Sequence, residues 1–376
     1  MKRYLEEVVS RDLMQKMVFL TGPRQVGKTT LARQMLDRTA GSQYFNFDVA
    51  SDRAAISAQA WNPAAGLLVF DELHKMPRWK SWLKGVYDGR PEQQKILVTG
   101  SARLDFLKRG GDSLAGRYFG VRLHPISVAE WCSAQGVSSA QALTHLLERG
   151  GFPEAALAPN GMDSDRWRLQ YLDGLIREDI LEFSRLHEVN TMRVLVDLLR
   201  ERVGSPLSVA SLARDLSAST TTITRYLQIL EALFVIFTVK PWHKNIARSL
   251  LKTPKVYFYD AGLVRGDEGR RFENLVANHL LKWVHFERDV RGREIELHYL
   301  RTRDDAEVDF TLVDAGKTTH LIECKLSGSN VHPALARFSN EQPDAKAIQL
   351  VRHGRQSVHH KALTIEPAAA WLGGLI

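Results

Sequence analysis

The chain has 376 residues, 44% of them hydrophobic and 25% charged, the make-up of a soluble globular protein with room for two or three domains. A net charge of +8, with an isoelectric point near 9.4, points towards polyanionic partners. The two cysteines, Cys132 and Cys324, lie far apart without metal-ligand spacing, which argues against a disulfide framework and suits a reducing cytosol. The best apolar run, Leu233 to Val239, is strand-sized and far short of a membrane span. The charged start, Met1-Lys2-Arg3-Tyr4-Leu5-Glu6-Glu7, lacks the apolar core of a signal peptide. The expectation is a cytoplasmic protein with no membrane partner.

From Tyr4 to Lys16 a helical pattern leads into a short apolar strand at Met17 to Leu20. Gly22-Pro23-Arg24-Gln25-Val26-Gly27-Lys28-Thr29 follows, two glycines bracketing four residues ahead of Lys and Thr, and Thr30 to Leu36 reads as a helix. Strand, glycine-rich loop and helix in this order make an anion site, because loop N–H groups and the helix N-terminus converge on one place. The spacing therefore predicts a phosphate-binding loop over Gly22 to Thr30. Lys28 would meet the β- and γ-phosphates of ATP, and the Thr29 hydroxyl would hold Mg2+.

Gln43 to Asp48 alternates like a second strand, and Gly66 to Glu72 is an apolar strand ending in two acids. In a nucleotide hydrolase, Asp71 there supports the Mg2+ shell and Glu72 orients or deprotonates the attacking water. A fourth strand, Lys95 to Thr99, ends in Gly100-Ser101-Ala102-Arg103, where Ser101 or Thr99 suits a sensor of the γ-phosphate. Arg117, in the turn Ser113 to Tyr118, is the first candidate for an arginine finger acting on a neighbouring subunit's ATP; Arg103 is the second.

Glu130 to His187 is mostly helical by pattern, with a break at Gly150 to Pro153. Arg177 within it is either a nucleotide sensor or part of an ion-pair face. An amphipathic helix, Met192 to Val203, precedes Ser208 to Leu216, a break at Ser217-Ala218-Ser219, and a helix from Thr220 to Leu233. This is a helix-turn-helix rhythm, with Ser208 and Ser219 as caps and Leu212, Leu216, Ile223, Leu227 and Leu230 as core. Phe234 to Val239 and Val256 to Tyr259 read as wing strands around a basic stretch containing His243, Lys244, Asn245, Arg248 and Lys252. Thr221, Thr222, Thr224 and Arg225 on the exposed helix face, with Lys244, Arg248 and Lys252, are the candidate DNA contacts. Winged helices also bind proteins, and that alternative stands at this point.

From Arg270 the pattern turns α/β. A helix at Arg271 to Leu281 carries Glu273 near its start, and strands follow at Glu294 to Arg301, Glu307 to Val313 and His320 to Lys325. The last two are joined by a turn at Asp314-Ala315-Gly316. Alternation puts Glu323 and Lys325 on one face, opposite Cys324 and facing Asp309 across the hairpin. An Asp on one strand and Glu-x-Lys on the next resembles the active-site pattern of PD-(D/E)xK nucleases, and Glu307-Val308-Asp309 resembles archaeal Holliday-junction resolvases. The resemblance implies Mg2+ on Asp309 and Glu323, a helix acid at Glu273, and Lys325, with Arg303, as the positive charge beside the phosphate. A Glu-x-Lys strand is also an ordinary solvated face, so cleavage stays open. The tail, Val331 to Ile376, closes this part with helix and strand, and its histidines lack metal-ligand spacing.

Gly22 to Thr30, Phe70-Asp71-Glu72-Leu73-His74-Lys75, Thr99-Gly100-Ser101, Leu114-Ala115-Gly116-Arg117 and Leu123-His124-Pro125-Ile126-Ser127 run in a recognisable order. With Gly150-Gly151-Phe152-Pro153-Glu154 and Pro254 to Leu263, they resemble the bacterial and archaeal AAA+ ATPases that carry a C-terminal DUF4143 region. The implied fold class is α/β, with a parallel-sheet P-loop core at 1–130 and a helical lid or linker at 131–190. A winged helix-turn-helix would follow at 191–260 and a restriction-endonuclease-like domain at 261–376. ATP sites between subunits imply a homo-oligomer. The function expected is a DNA-associated ATPase coupling hydrolysis to binding, translocation on or remodelling of DNA, branched DNA included. The alternative is a nucleotide-dependent switch or scaffold that binds protein.

Overall fold

A computed structural model describes residues 1–100, 114–176, 186–242, 253–302, 304–360 and 363–376. Ser101, Arg103, Arg177, His243, Lys244, Asn245, Arg248, Lys252 and Arg303 lie outside the described residues. The chain forms two compact units, Met1–His124 with Ala232–Phe234, and Pro125–Glu231 with Val235–Ile376.

The first unit is a five-stranded parallel sheet in the order β2-β3-β4-β1-β5, from β1 (Met17–Thr21), β2 (Gln43–Asn46), β3 (Leu67–Asp71), β4 (Lys95–Thr99) and β5 (Tyr118–Arg122). β1 and β3 are buried at every position. This is why they read as unbroken apolar runs rather than alternating ones. Phe19, Phe45, Phe70, Leu83 and Val98 belong to one core on this sheet, with Trp61 and Trp82 packed against it. β4 lies between β1 and β3 in the sheet, so the carboxyl ends of all three open on the same edge. Ligands of open α/β sheets bind at that edge.

The second unit opens with helices whose starts are written in the sequence. Ser127 with Glu130, and Ser138 with Gln141, form reciprocal capping boxes. Ser208 caps Val209–Asp215, and Ser219 Oγ accepts from the Thr222 N–H (3.0 Å) at the start of Thr220–Ala232. Leu212, Ile223, Leu227 and Leu230 are buried there and Leu216 half-buried. An eight-stranded mixed sheet follows in the order β12-β13-β11-β10-β9-β8-β6-β7. Its strands are β6 (Ile236–Pro241), β7 (Lys255–Phe258), β8 (Ile295–Arg301), β9 (Glu307–Asp314), β10 (Lys317–Lys325), β11 (Lys346–Val351), β12 (Val358–His360) and β13 (Leu363–Pro367). The strands β6 and β7, read from the sequence as wings, pair antiparallel with each other, and β6 continues into the C-terminal sheet by pairing with β8. The long helix Glu268–Arg291 is capped by Asp267 at one end and by Gly292, at φ 67°, at the other.

The motifs around Gly150 and Asp260 meet inside this unit. Asp260 is fully buried, accepts the Gly262 N–H (3.1 Å) and has Arg168 Nε 3.6 Å from Oδ2. Burial pushes its carboxyl above the usual range, and Arg168 pulls it back. A Cβ on Gly150 would sit 1.9 Å from Asp260 Oδ1, so only glycine fits. These motifs bring Gly150, Arg168 and Asp260 together within the unit. Among the described residues no helix is long and apolar enough to cross a membrane.

Candidate functional site

The loop after β1 is built as a cradle. Gly22 has φ +145°, and a Cβ there would lie 2.3 Å from the Leu123 carbonyl oxygen. Gly27, at φ 99°, turns the chain into the helix Lys28–Asp37, and Gln25 takes φ 59° between them. Pro23 and Val26 are buried, Arg24 half-buried and Thr30 exposed. Lys28 is buried, and its ammonium donates to the carbonyls of Gly22 (3.0 Å) and Pro23 (2.6 Å). Burial pulls its pKa down to about 8, against the pull of Glu72 and Asp71.

Asp71, at the end of β3, is held by neutral donors. Its Oδ2 accepts from the hydroxyls of Thr29 (2.8 Å) and Tyr44 (2.6 Å). Its Oδ1 accepts from the Thr99 hydroxyl and from the Glu72 N–H (3.1 Å). Glu72 stands in the left-handed region, at φ 54°, a conformation that a non-glycine residue holds only when its surroundings impose it. Its Oε2 is buried without a hydrogen bond, 3.5 Å from His74 Nε2 and 3.9 Å from Lys75 Nζ. Burial and then Asp71 push the Glu72 carboxyl up. Hydroxyl, carboxylate, ammonium and an unsatisfied acid thus converge beside an anion cradle, a donor set that fits Mg2+ and a nucleotide.

Two partners in this unit carry no local signal in the sequence. Arg3 is buried and donates to the carbonyls of Val26 (2.8 Å) and His124 (2.5 Å), clamping the loop from 23 and 121 residues away. Tyr44 finds Asp71 from the neighbouring strand. Arg117 is held by Asp88 in a two-pronged pair at 2.8 and 2.9 Å. In the helix-turn-helix, Thr221, Thr224 and Arg225 are exposed and Thr222 half-buried. The Thr222 and Ser219 hydroxyls lie 2.8 Å apart, and the Thr224 hydroxyl donates back to the Thr220 carbonyl (2.8 Å).

The second acidic cluster is in the C-terminal sheet. The structure brings Glu273, Asp309, Glu323 and Lys325 into one linked set, together with Glu307 and a residue not singled out beforehand, Lys255. Lys255 leaves 1% of its side chain exposed, with its ammonium 2.7 Å from Glu307, 3.4 Å from Glu273 and 3.7 Å from Asp309. Burial opposes its charge, but Glu273, Asp309 and Glu307 overcome that and hold its pKa above the ordinary lysine range. Burial, reinforced by Asp309, pushes both Glu273 and Glu323 upwards. Glu273 also accepts from the Tyr257 hydroxyl (2.6 Å). Asp309 Oδ2 accepts the Cys324 N–H (2.9 Å), the Asp309 N–H donates to Glu323 Oε2 (3.3 Å), and Lys325 pairs with Glu323 Oε1 (2.8 Å). With an ammonium already among the acids, this donor set does not fit a divalent ion as arranged. Among the described residues no three His, Cys, Asp or Glu groups are placed to share a metal.

Comparison with known proteins places three matches along the chain. An AAA domain matches residues 14–132, a domain of unknown function (DUF8612) residues 140–267, and a second such domain (DUF4143) residues 268–366. An uncharacterized protein of Mycobacterium tuberculosis is 30% identical over 308 residues, covering 80% of this chain and 68% of that one. One from Methanocaldococcus jannaschii is 22% identical over 375 residues, covering 90% and 83%. Among solved structures, a Walker-type ATPase of Pyrococcus abyssi gives a TM-score of 0.44 at 16% identity over 69% of this chain and 93% of that one. Thermotoga maritima RuvB gives 0.33 at 18% identity over 62% and 88%. Overlays this distant add nothing to the family match.

Proposed function

The chain belongs to the family of AAA ATPases with a C-terminal DUF4143 domain, and we propose that it couples hydrolysis of Mg2+-bound ATP to work on DNA as a homo-oligomer. The observation that carries the ATP site is Asp71. Its four donors, three hydroxyls and an N–H, are all neutral, so its charge is left for a cation, and Thr29 is already beside it. Thr29 and Asp71 would hold Mg2+, which would neutralise phosphate charge when bound.

The remaining roles belong to side chains. Lys28 exchanges the carbonyls of Gly22 and Pro23 for phosphate oxygens. Glu72, with a desolvated oxygen and no donor on it, accepts a proton from the attacking water. Backbone N–H groups from Gly22 to Thr30 cradle the phosphates. Arg117 leaves its two-pronged pair with Asp88 to act on a neighbouring subunit's ATP. Ser101 serves as the γ-phosphate sensor.

The DNA reading rests on the net charge and on the amphipathic helix Thr220–Ala232, whose outer face carries Thr221, Thr224 and Arg225. Thr222, Lys244, Arg248 and Lys252 complete the proposed contact set. In this division 1–130 is the ATPase core, 131–190 a helical linker, 191–260 the winged helix and 261–376 a nuclease-like module. The test is ATP hydrolysis with and without single-stranded, duplex and four-way-junction DNA, with Lys28→Ala as the blank. Stimulation by one of these structures is expected. Hydrolysis indifferent to all of them, with no salt-dependent DNA binding, would leave the nucleotide-dependent protein switch instead.

A further inference from the structure

The acids that sequence reasoning assigns to a nuclease metal are engaged on every side. Lys255 enters from β7, and its backbone is fixed by pairing with Val239 on β6 and by a bridge to Pro206. Its side chain is 1% exposed. Glu273 is closed in from another direction, because a Cβ on Gly204 would lie 2.7 Å from its Oε2. Glu307 carries a second cation, Arg301 at 3.3 Å. Across the β9–β10 hairpin the Asp309 N–H donates to Glu323 Oε2, and Asp309 Oδ2 accepts the N–H of Cys324, the residue after Glu323. A divalent ion entering here would have to displace the ammonium or lie against it, where a desolvated pocket screens like-charge repulsion poorly, and would have to undo the hairpin links.

We propose that the Lys255 ammonium is the resident cation of this site, standing among Glu273, Glu307 and Asp309 where a divalent ion would otherwise bind. The nuclease-like domain is then a metal-free module whose acids lock β7, the helix Glu268–Arg291 and the β9–β10 hairpin into one body. It does not depend on the DNA reading, because the lock is internal to the second unit.

The test is Mn2+ binding by the full chain without nucleotide, followed by the electron paramagnetic resonance of free Mn2+. Wild type and Asp309→Asn are expected to bind the same number of ions, any ion near Asp71 being common to both. One additional ion in wild type that Asp309→Asn loses would overturn the proposal. Lys255→Ser is expected to gain an ion at least tenfold tighter than any wild type holds there, and to lose it again in Lys255→Ser/Asp309→Asn. A folded Lys255→Ser chain that gains no ion would overturn the claim that the ammonium stands in the ion's place. Should Lys255→Ser fail to fold, the wild-type and Asp309→Asn comparison decides by itself.

Discussion

Asp71 and Asp309 are both carboxylates on strands of α/β sheets, and they are held in opposite ways. Around Asp71 the donors are Thr29, Tyr44, Thr99 and a backbone N–H, which fix the carboxylate without neutralising it. Around Asp309 and its neighbours a buried ammonium does the neutralising. Neutral donors leave an acid able to take a cation; an ammonium in low dielectric uses that capacity up. The same residue types therefore give one site open to chemistry and one that is a joint.

The comparison is tested hardest at the two acids assigned different fates. Glu72→Gln is expected to lower ATP hydrolysis by roughly 10²–10⁴-fold with nucleotide binding retained, the usual loss for a general base. Steady-state phosphate release and a fluorescent-nucleotide titration check both halves. Lys255→Met leaves Glu273 and Asp309 without this counter-ion and Glu307 with Arg301 alone, and is expected to cost about 3–5 kcal/mol of stability in urea unfolding. Adding Glu273→Gln should restore part of it, since one uncompensated acid is removed.

Smaller effects follow. Gly150→Ala places a methyl group against Asp260 at positive φ and is expected to cost about 1–3 kcal/mol of unfolding free energy, with ATP binding unchanged. Tyr44→Phe removes one of the donors on Asp71 and should weaken Mg2+-dependent hydrolysis by about 0.5–1.5 kcal/mol, a few-fold in rate. The pH response of nucleotide binding is the finest probe. Lys28, lowered to about 8, binds phosphate only when protonated, so affinity falls as pH rises. Between pH 7 and 8.5 the fall is about fourfold for one such group. Stability moves the other way. From about pH 8 to 10.5 the unfolded lysine holds more protons than the native one, so unfolding free energy rises with pH in that window.

The parts legible in the sequence are those whose physics is local. The phosphate loop declares itself because glycine positions, Lys28 and Thr29 are contiguous, and β3 because a strand buried on both faces is an apolar run. The caps Ser208 and Ser219 are likewise one turn from the N–H groups they satisfy. What could not be read is contact across distance in the chain. Arg3 meets Val26, Tyr44 meets Asp71, and Lys255 meets acids at 273, 307 and 309, each joined only by the fold. The acids of the C-terminal set were visible as residue types at plausible spacing. The residue that decides their chemistry sits on a strand read as part of a wing.

The most direct measurement runs ATP hydrolysis and DNA cleavage side by side, with Mg2+ or Mn2+, on wild type, Glu72→Gln and Asp309→Asn. The account predicts hydrolysis lost only in Glu72→Gln, unchanged within about twofold in Asp309→Asn by additivity of independent sites, and no cleavage by any of the three. Metal-dependent cleavage by wild type that Asp309→Asn abolishes would contradict it.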